Sequence, residues 1–335
     1  ERALAQLPNA VVFDSVEQNP STETCDAGAV VCRDEGCDFV VGIGGGSPMD
    51  AAKVIALLAR NPGLCEQYYG ADKFGNDNLP IVAVPTTAGT GSEVTPNAVI
   101  THRAKQFKRS IAGRTLFPRL ALLDAGLSVT MPASVTANTG IDALSHVMEG
   151  MVSLRSTPMS DTLALETCRV IREWLPRAVA EPEDLEARGR MLHAAMVSGC
   201  VIAQSGTTLV HGMGYCLTLE FGLPHGLANA LLLIPLFQHN ADHVPGKVAA
   251  IATALGYPAE PVPADAKEKI ALAIQVLARA VGVPLAGKEV GVRPQSLRNF
   301  AERICAAPSH FKRQVGDLSV EDVHRFFLRA YEGPA

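Results

Sequence analysis

The chain has no strong excess of charge of either sign. Its 29 lysines and arginines against 34 aspartates and glutamates leave a formal net charge of −5 over 335 residues. That balance gives no electrostatic footprint for nucleic acid or an anionic membrane surface, so neither is expected as a partner. The eight cysteines, at positions 25, 32, 37, 65, 168, 200, 216 and 305, form no CxxC pair and no zinc-ribbon spacing. Free thiols in a reducing, cytoplasmic setting fit this pattern better than a disulfide framework. Long hydrophobic runs are missing too: the longest, LANALLLIPLF at 227–237, is interrupted by Pro235 and is too short to cross a bilayer. No signal-peptide pattern opens the chain, whose first residue is Glu1 rather than Met.

What the chain does have is two contrasting halves, and 335 residues are more than one small core requires. Up to about residue 128, β-branched runs alternate with helical stretches. Strands are expected at 9–16, 37–44, 80–85, 97–101 and 120–124, and helices at 21–36 and 47–60, the first closed by Gly36 and the second by NPG at 61–63. The alternation predicts a parallel, doubly wound α/β domain over 1–128. Within it DFVVGIG (38–44) is apolar on both faces, as a central strand covered on both sides would be. From 129 to 335 apolar residues recur at three- and four-residue spacing, which predicts an all-helical domain. Proline and glycine gather at 62–79 and 256–266, where linkers are expected.

Two stretches of the first half could cradle phosphate. CDFVVGIGGGSPMD (37–50) sets Gly44, Gly45 and Gly46 between a strand and a helix, with Ser47 expected as N-cap, Pro48 in the first turn and Asp50 completing a capping box. Backbone without Cβ atoms there can approach a pyrophosphate, and a helix N-terminus supplies free N–H groups. An ordinary glycine-rich turn reads equally well, and the stretch is not the GxGxxG fingerprint. VPTTAGTGSEVTP (84–96) also follows a strand and offers the hydroxyls of Thr86, Thr87, Thr90 and Ser92. In open α/β sheets, ligands bind beyond the carboxyl ends of the strands, where both loops would fall. The basic run HRAKQFKRS (102–110) reads as a solvated hairpin, with one lysine turned inward as the functional alternative.

The second half holds the metal-ligating residue types. In TGIDALSHVMEG (139–150), Asp142 and His146 stand four apart and share a helix face. In VHGMGYCLTLEFGLPHGLANALLLIP (210–235), His211 and His225 are each followed by glycine in apolar surroundings. Taken singly, these residues also fit a capping contact or a hydrogen-bonded core histidine. Taken together, one carboxylate and three imidazoles would hold a divalent transition metal and leave room for a substrate.

At these residues the sequence resembles the iron-containing (group III) alcohol dehydrogenase family. DFVVGIGGGSPMDAAK, PTTAGTGSEVTPNAVIT, TGIDALSHVMEG, SGTTLVHGMGYCLT and PHGLANALLLIP occur in the family's order between about 19 and 240. The resemblance implies a Rossmann-like parallel-sheet domain followed by an all-helical metal-binding domain, the dehydroquinate synthase-like arrangement, with the active site in the cleft between them. It implies Asp142, His146, His211 and His225 as metal ligands. Dinucleotide contacts fall on Asn19, Gly45, Gly46, Ser47, Thr86, Thr87, Thr90, Val99 and Lys108.

The implied activity is reversible hydride transfer between a small alcohol, or its aldehyde, and NAD or NADP. Fe2+ is the family's metal, although the ligand types equally accept Zn2+ or another divalent ion. One carboxylate and three neutral imidazoles would leave such a site at about +1, suited to an alkoxide. A homodimer is the family expectation. Two departures stand out. Many members carry a histidine, implicated in proton transfer, four residues after the first HG histidine; here that position is Tyr215, a catalytic candidate that could relay the proton or only shape the pocket. Members also open with a further strand and helix that select NAD or NADP, and this unit is not in the sequence. A zinc-dependent glycerol-type dehydrogenase of the same superfamily and, in another class, a metal-dependent hydrolase are the competing readings.

Overall fold

The computed structural model describes residues 5, 7, 9–306 and 311–334. The extreme ends of the two expected domains, residues 1–4 and 335, lie outside these. The chain divides into two compact units, Glu1–Pro85 with Ser92–Leu122, and Thr86–Gly91 with Leu123–Ala335.

In the first unit, Ser21 caps helix α1 (Thr22–Asp34), its side chain accepting from the Thr24 N–H, and Gly36 ends the turn beyond it at φ +65°. Strand β1 (Val40–Gly44) then leads into helix α2 (Gly46–Arg60). Gly42 lets strand and helix touch: a Cβ there would lie 2.9 Å from the Ala52 Cβ and 3.1 Å from the Met49 Cα. After the short strand β2 (Gly70–Ala71) come β3 (Ile81–Pro85), β4 (Asn97–His102), β5 (Phe107–Ala112) and β6 (Leu120–Ala121). One sheet has the order β1-β3-β6, all parallel, with Val40 opposite Ile81 and Val82 opposite Leu120. The other has the order β2-β5-β4, in which β4 and β5 form an antiparallel hairpin. Cys25, Val54, Leu57, Ile81, Ile100 and Ile111 are among the side chains of the shared core.

Three local expectations are corrected. Residues 9–16 form no strand; Phe13 and Val16 pack against the core from an extended segment outside both ladders. β1 is not a doubly covered central strand: among the described residues it pairs with β3 alone, and Ile43 is 44% exposed. The basic run forms the turn and second strand of the β4–β5 hairpin, as expected, and the sheet that holds it is mixed while β1-β3-β6 is wholly parallel. The N-cap of α2 is Gly45, not Ser47. The capping box does not form because Asp50 has stronger partners: it accepts from the Ser92 hydroxyl at 2.6 Å and the Val99 N–H at 2.8 Å.

The second unit is helical as expected: α3 (Ala133–Val152), α4 (Pro158–Ala180), α5 (Leu185–Ser205), α6 (Leu209–Phe221), α7 (His225–His243), α8 (Pro245–Ala254), α9 (Pro263–Ala280), α10 (Leu297–Ala306) and α11 (Val320–Glu332). Thr157 with Ser160, and Ser319 with Asp322, make reciprocal capping boxes at the starts of α4 and α11. At the centre, α3 is buried almost all round from Gly140 to Val152, and α7 from Gly226 to Phe237. Each large apolar side chain in this core contributes roughly 1.5–3 kcal/mol. The stability so gained supports the carboxylates of Asp142 and Glu149, which α3 also buries. Among the described residues no helix is long and apolar enough to cross a membrane, and all eight cysteines are free thiols.

Candidate metal centre and dinucleotide-binding residues

Helical spacing places Asp142 and His146 one turn apart on the same face of α3, as the sequence predicts. His211 lies in the first turn of α6 and His225 is the first residue of α7. One donor atom each from Asp142, His146 and His211 falls within 4.8 Å of the others, and all three residues are buried. The Asp142 Oδ1 lies 3.7 Å from the His211 Nε2 and 3.9 Å from the His225 Nε2. The His146 and His211 rings stack at 4.4 Å between centroids, and the His225 ring meets His211 edge-on at 5.3 Å. The four side chains named from the sequence therefore converge.

The electrostatics fit a cation. Burial pushes the His146 imidazole down to about 4, against the opposing pull of Asp142, so the ring is neutral and carries a lone pair near pH 7. Burial alone would raise the Asp142 carboxyl. The three imidazoles and the Asn229 amide outweigh it and hold the group below the usual carboxylate range. An ionised carboxylate beside imidazole nitrogens is the donor set that Fe2+ or Zn2+ takes.

Two further residues belong to the cluster, and sequence reasoning missed both. Glu149, fully buried on α3, faces the His211 Nδ1 through its Oε2. Its Oε1 accepts from the Thr208 N–H and hydroxyl, both at 2.8 Å, and from the His211 N–H at 3.4 Å. Asn229 sends its Nδ2 to the Asp142 Oδ1 at 2.9 Å, the His211 Nε2 at 3.3 Å and the His225 Nε2 at 3.4 Å. The available signal was spacing: Glu149 is seven residues after Asp142 and Asn229 four after His225, each on its neighbour's helix face. Tyr215, one turn beyond His211 on α6, stacks on His225 with centroids 5.2 Å apart and planes 11° from parallel.

Of the dinucleotide-binding candidates, Asn19, Ser47 and Lys108 are joined in one network. The Asn19 N–H donates to the Ser47 Oγ at 3.1 Å, and Lys108 donates to the Asn19 side-chain oxygen at 2.7 Å. Gly45 and Gly46 open α2 beside Ser47. Val99, on β4, is tied to α2 through its N–H to Asp50. Thr86, Thr87 and Thr90 are half-buried on the loop after β3, which belongs to the second unit. Gly89 and Gly91 hold that loop against helices. A Cβ at Gly89 would lie 2.8 Å from the Thr139 side chain on α3, and one at Gly91 2.5 Å from the Gly199 Cα on α5.

A mixed-sheet domain with a glycine turn, followed by a helical domain burying an Asp/His metal cluster, defines a metal-dependent, NAD(P)-linked alcohol/aldehyde oxidoreductase. The comparisons with known proteins give its family. Residues 1–125 match "Iron-containing alcohol dehydrogenase" and residues 136–331 match "Fe-containing alcohol dehydrogenase family, C-terminal". The chain belongs to the iron-containing alcohol dehydrogenase family. It is 33% identical over 316 residues to the NAD-dependent methanol dehydrogenase of Bacillus methanolicus, covering 93% of this chain and 83% of that protein. To the 1,3-propanediol dehydrogenase of Klebsiella pneumoniae it is 37% identical over 292 residues, 87% of this chain and 76% of the relative. The crystal structure of a 1,3-propanediol oxidoreductase superposes with a TM-score of 0.91 at 34% identity, covering 96% of this chain and 84% of that one.

Proposed function

We propose that this enzyme interconverts a short, unbranched primary alcohol and its aldehyde, with NAD(H) as hydride carrier and Fe2+ as the native metal. The observation that carries the reading is the convergence of Asp142, His146 and His211, with the Asp142 Oδ1 3.9 Å from the His225 Nε2. Fe2+ accords with the family, and NAD and a short substrate accord with the relatives named for methanol and 1,3-propanediol. A homodimer is the assembly we expect of it.

Asp142, His146, His211 and His225 would hold the ion, which when bound supplies Lewis acidity toward a substrate oxygen. The chain's own part is positioning. Asp142 supplies the one negative charge among these four donors, and the three rings supply neutral nitrogens. Burial of the cluster keeps water from competing with the substrate oxygen. Asn19, Gly45, Gly46, Ser47, Thr86, Thr87, Thr90, Val99 and Lys108 are assigned to the dinucleotide, with Lys108 the cation for its phosphate or ribose oxygens. Tyr215 shapes the surroundings of His225.

The test is substitution at His211 or His225 by alanine in the full chain. Metal content after dialysis and alcohol turnover should both be lost, while NADH binding followed by fluorescence survives. Full turnover by a metal-free variant would overturn the reading. Metal analysis of the purified protein, with activity restored separately by Fe2+ and Zn2+, separates the iron assignment from the zinc alternative.

A further inference from the structure

We propose that Glu149 is a positioning residue of the metal centre, fixing His211 as the Nδ1–H tautomer so that Nε2 presents its lone pair to the ion. The proposal rests on the metal reading above and adds to it a residue outside the ligand set.

One contact assigns the tautomer, and a second on the other side of the ring accords with it. On the Nδ1 side stands the Glu149 Oε2. An ionised carboxylate only accepts hydrogen bonds, so the proton between the two atoms belongs to the imidazole. On the Nε2 side stands the Asn229 Nδ2, 3.3 Å away. The direction of that amide is set by Asp142, because only the amide nitrogen can face a carboxylate oxygen, here at 2.9 Å. That nitrogen brings two hydrogens to three acceptors, the Asp142 Oδ1 and the Nε2 atoms of His211 and His225, so an unprotonated His211 Nε2 accords with its approach while Glu149 carries the assignment.

Glu149 is held for this task by the segment that carries His211. Its Oε1 accepts from the Thr208 N–H, the Thr208 hydroxyl and the His211 N–H, while Oε2 is left for the ring. Two of those donors are backbone groups that cannot turn into acceptors. Whatever replaces Glu149 must therefore still present an oxygen at the Thr208 end. This makes Glu149→Gln a directed probe: the glutamine oxygen is committed to Thr208, and its NH2 is forced to face the His211 Nδ1. A donor there requires Nδ1 to accept, which moves the ring proton to Nε2, toward the ion. Outer partners of ligating histidines typically change metal affinity by about 10- to 100-fold.

The experiment uses the full chain labelled with 15N-histidine, with His211 resonances assigned from a His211→Gln spectrum. In the wild-type protein freed of metal by chelator, His211 should show the Nδ1–H pattern; in Glu149→Gln it should show Nε2–H. Zn2+ affinity, read by competition with a chromophoric chelator, should fall about 10- to 100-fold in Glu149→Gln. An Nε2–H ring in the wild-type protein overturns the proposal whatever the variant does. So does a folded Glu149→Gln protein whose Zn2+ affinity stays within about threefold, a change too small for a lost tautomer partner. Wild-type protein with the expected tautomer but no Zn2+ or Fe2+ binding would instead overturn the metal reading on which the role depends.

Discussion

The Lys108 ammonium donates to the side-chain oxygen of Asn19 at 2.7 Å, across 89 positions of sequence. Asn19 holds a positive φ of 59°, and its own N–H is bound to the Ser47 Oγ at 3.1 Å. Three residues expected at the dinucleotide from three separate motifs are thus one hydrogen-bonded unit. Lys108→Ala removes both a cation and the group that orients the Asn19 amide. We expect NADH affinity to fall about tenfold, the weight of one charge-assisted bond, with bound metal unchanged. Fluorescence titration reads this directly, and an unaltered affinity would remove Lys108 from the site.

How much of this was legible beforehand depends on the range of the interaction. Asp142 and His146 share a helix face by spacing alone, and the all-helical character of the second unit follows from its three- and four-residue periodicity. The union of His211 and His225 with that pair depends on how three helices pack, which no spacing encodes; the family resemblance supplied it. The N-cap expected at Ser47 was lost to tertiary competition, since Asp50 found the Ser92 hydroxyl and the Val99 N–H instead of the helix start. Residues 9–16 carry strand-like composition, but strand formation also needs a neighbouring ladder, and sequence says nothing about whether one is adjacent. Glu149 and Asn229 were on the right faces yet unremarked, because a lone Glu or Asn on a helix is ordinarily solvated.

Gly226, the residue after His225, is where α7 crosses α3. A Cβ there would lie 1.8 Å from the Asn138 carbonyl oxygen and 3.2 Å from the Asp142 Cβ. The first obstacle is backbone, which has no rotamer to yield. Gly226→Ala should therefore push the start of α7 off α3, costing about 1–3 kcal/mol from overpacking and separating His225 from Asp142. Urea unfolding measures the first effect and chelator competition for Zn2+ the second, with a loss of at least about tenfold expected for a displaced ligand. Gly246→Ala is the control, because its Cβ would meet only the Pro261 Cβ at 4.0 Å. Wild-type Zn2+ affinity in Gly226→Ala would show that the contact does not set the ligand geometry.

Tyr215 presents a flat ring to His225, 11° from parallel with centroids 5.2 Å apart. What the histidine feels is the ring, so Tyr215→Phe should keep bound metal at the wild-type level. Tyr215→Ala removes the stacked surface, worth about 0.5–1.5 kcal/mol beyond its area, and frees a half-buried imidazole to rotate. We expect Zn2+ affinity to fall about three- to tenfold in Tyr215→Ala, in line with that energy. If Phe and Ala lower it equally, the hydroxyl rather than the ring supports the site. Comparing kcat for Phe with wild type then isolates any proton-relay role.

Lys53 is a fully buried cation, 0% exposed, at the junction of α2 and β4. Its Nζ donates to the Ser92 Oγ and the Asn97 carbonyl at 2.8 Å, the Thr95 carbonyl at 2.9 Å and the Thr95 hydroxyl at 3.2 Å, with the Asp50 Oδ1 at 3.9 Å. One ammonium thus satisfies acceptors from the loop after β3 and the start of β4, and it balances the carboxylate that ties Val99 to α2. Lys53→Met matches its length but offers no donor. It would leave the two carbonyls without this partner and Asp50 without its neighbouring cation. Removing one partner of a buried charged network typically costs about 3–5 kcal/mol, far more than methionine's better burial returns. We expect Lys53→Met to lower the unfolding free energy measured in urea by that amount and, because Ser92, Asp50 and Val99 lose their common tie, to weaken NADH binding as well. A variant as stable as wild type would mean that the acceptors find other donors and that the ammonium is dispensable to the first unit.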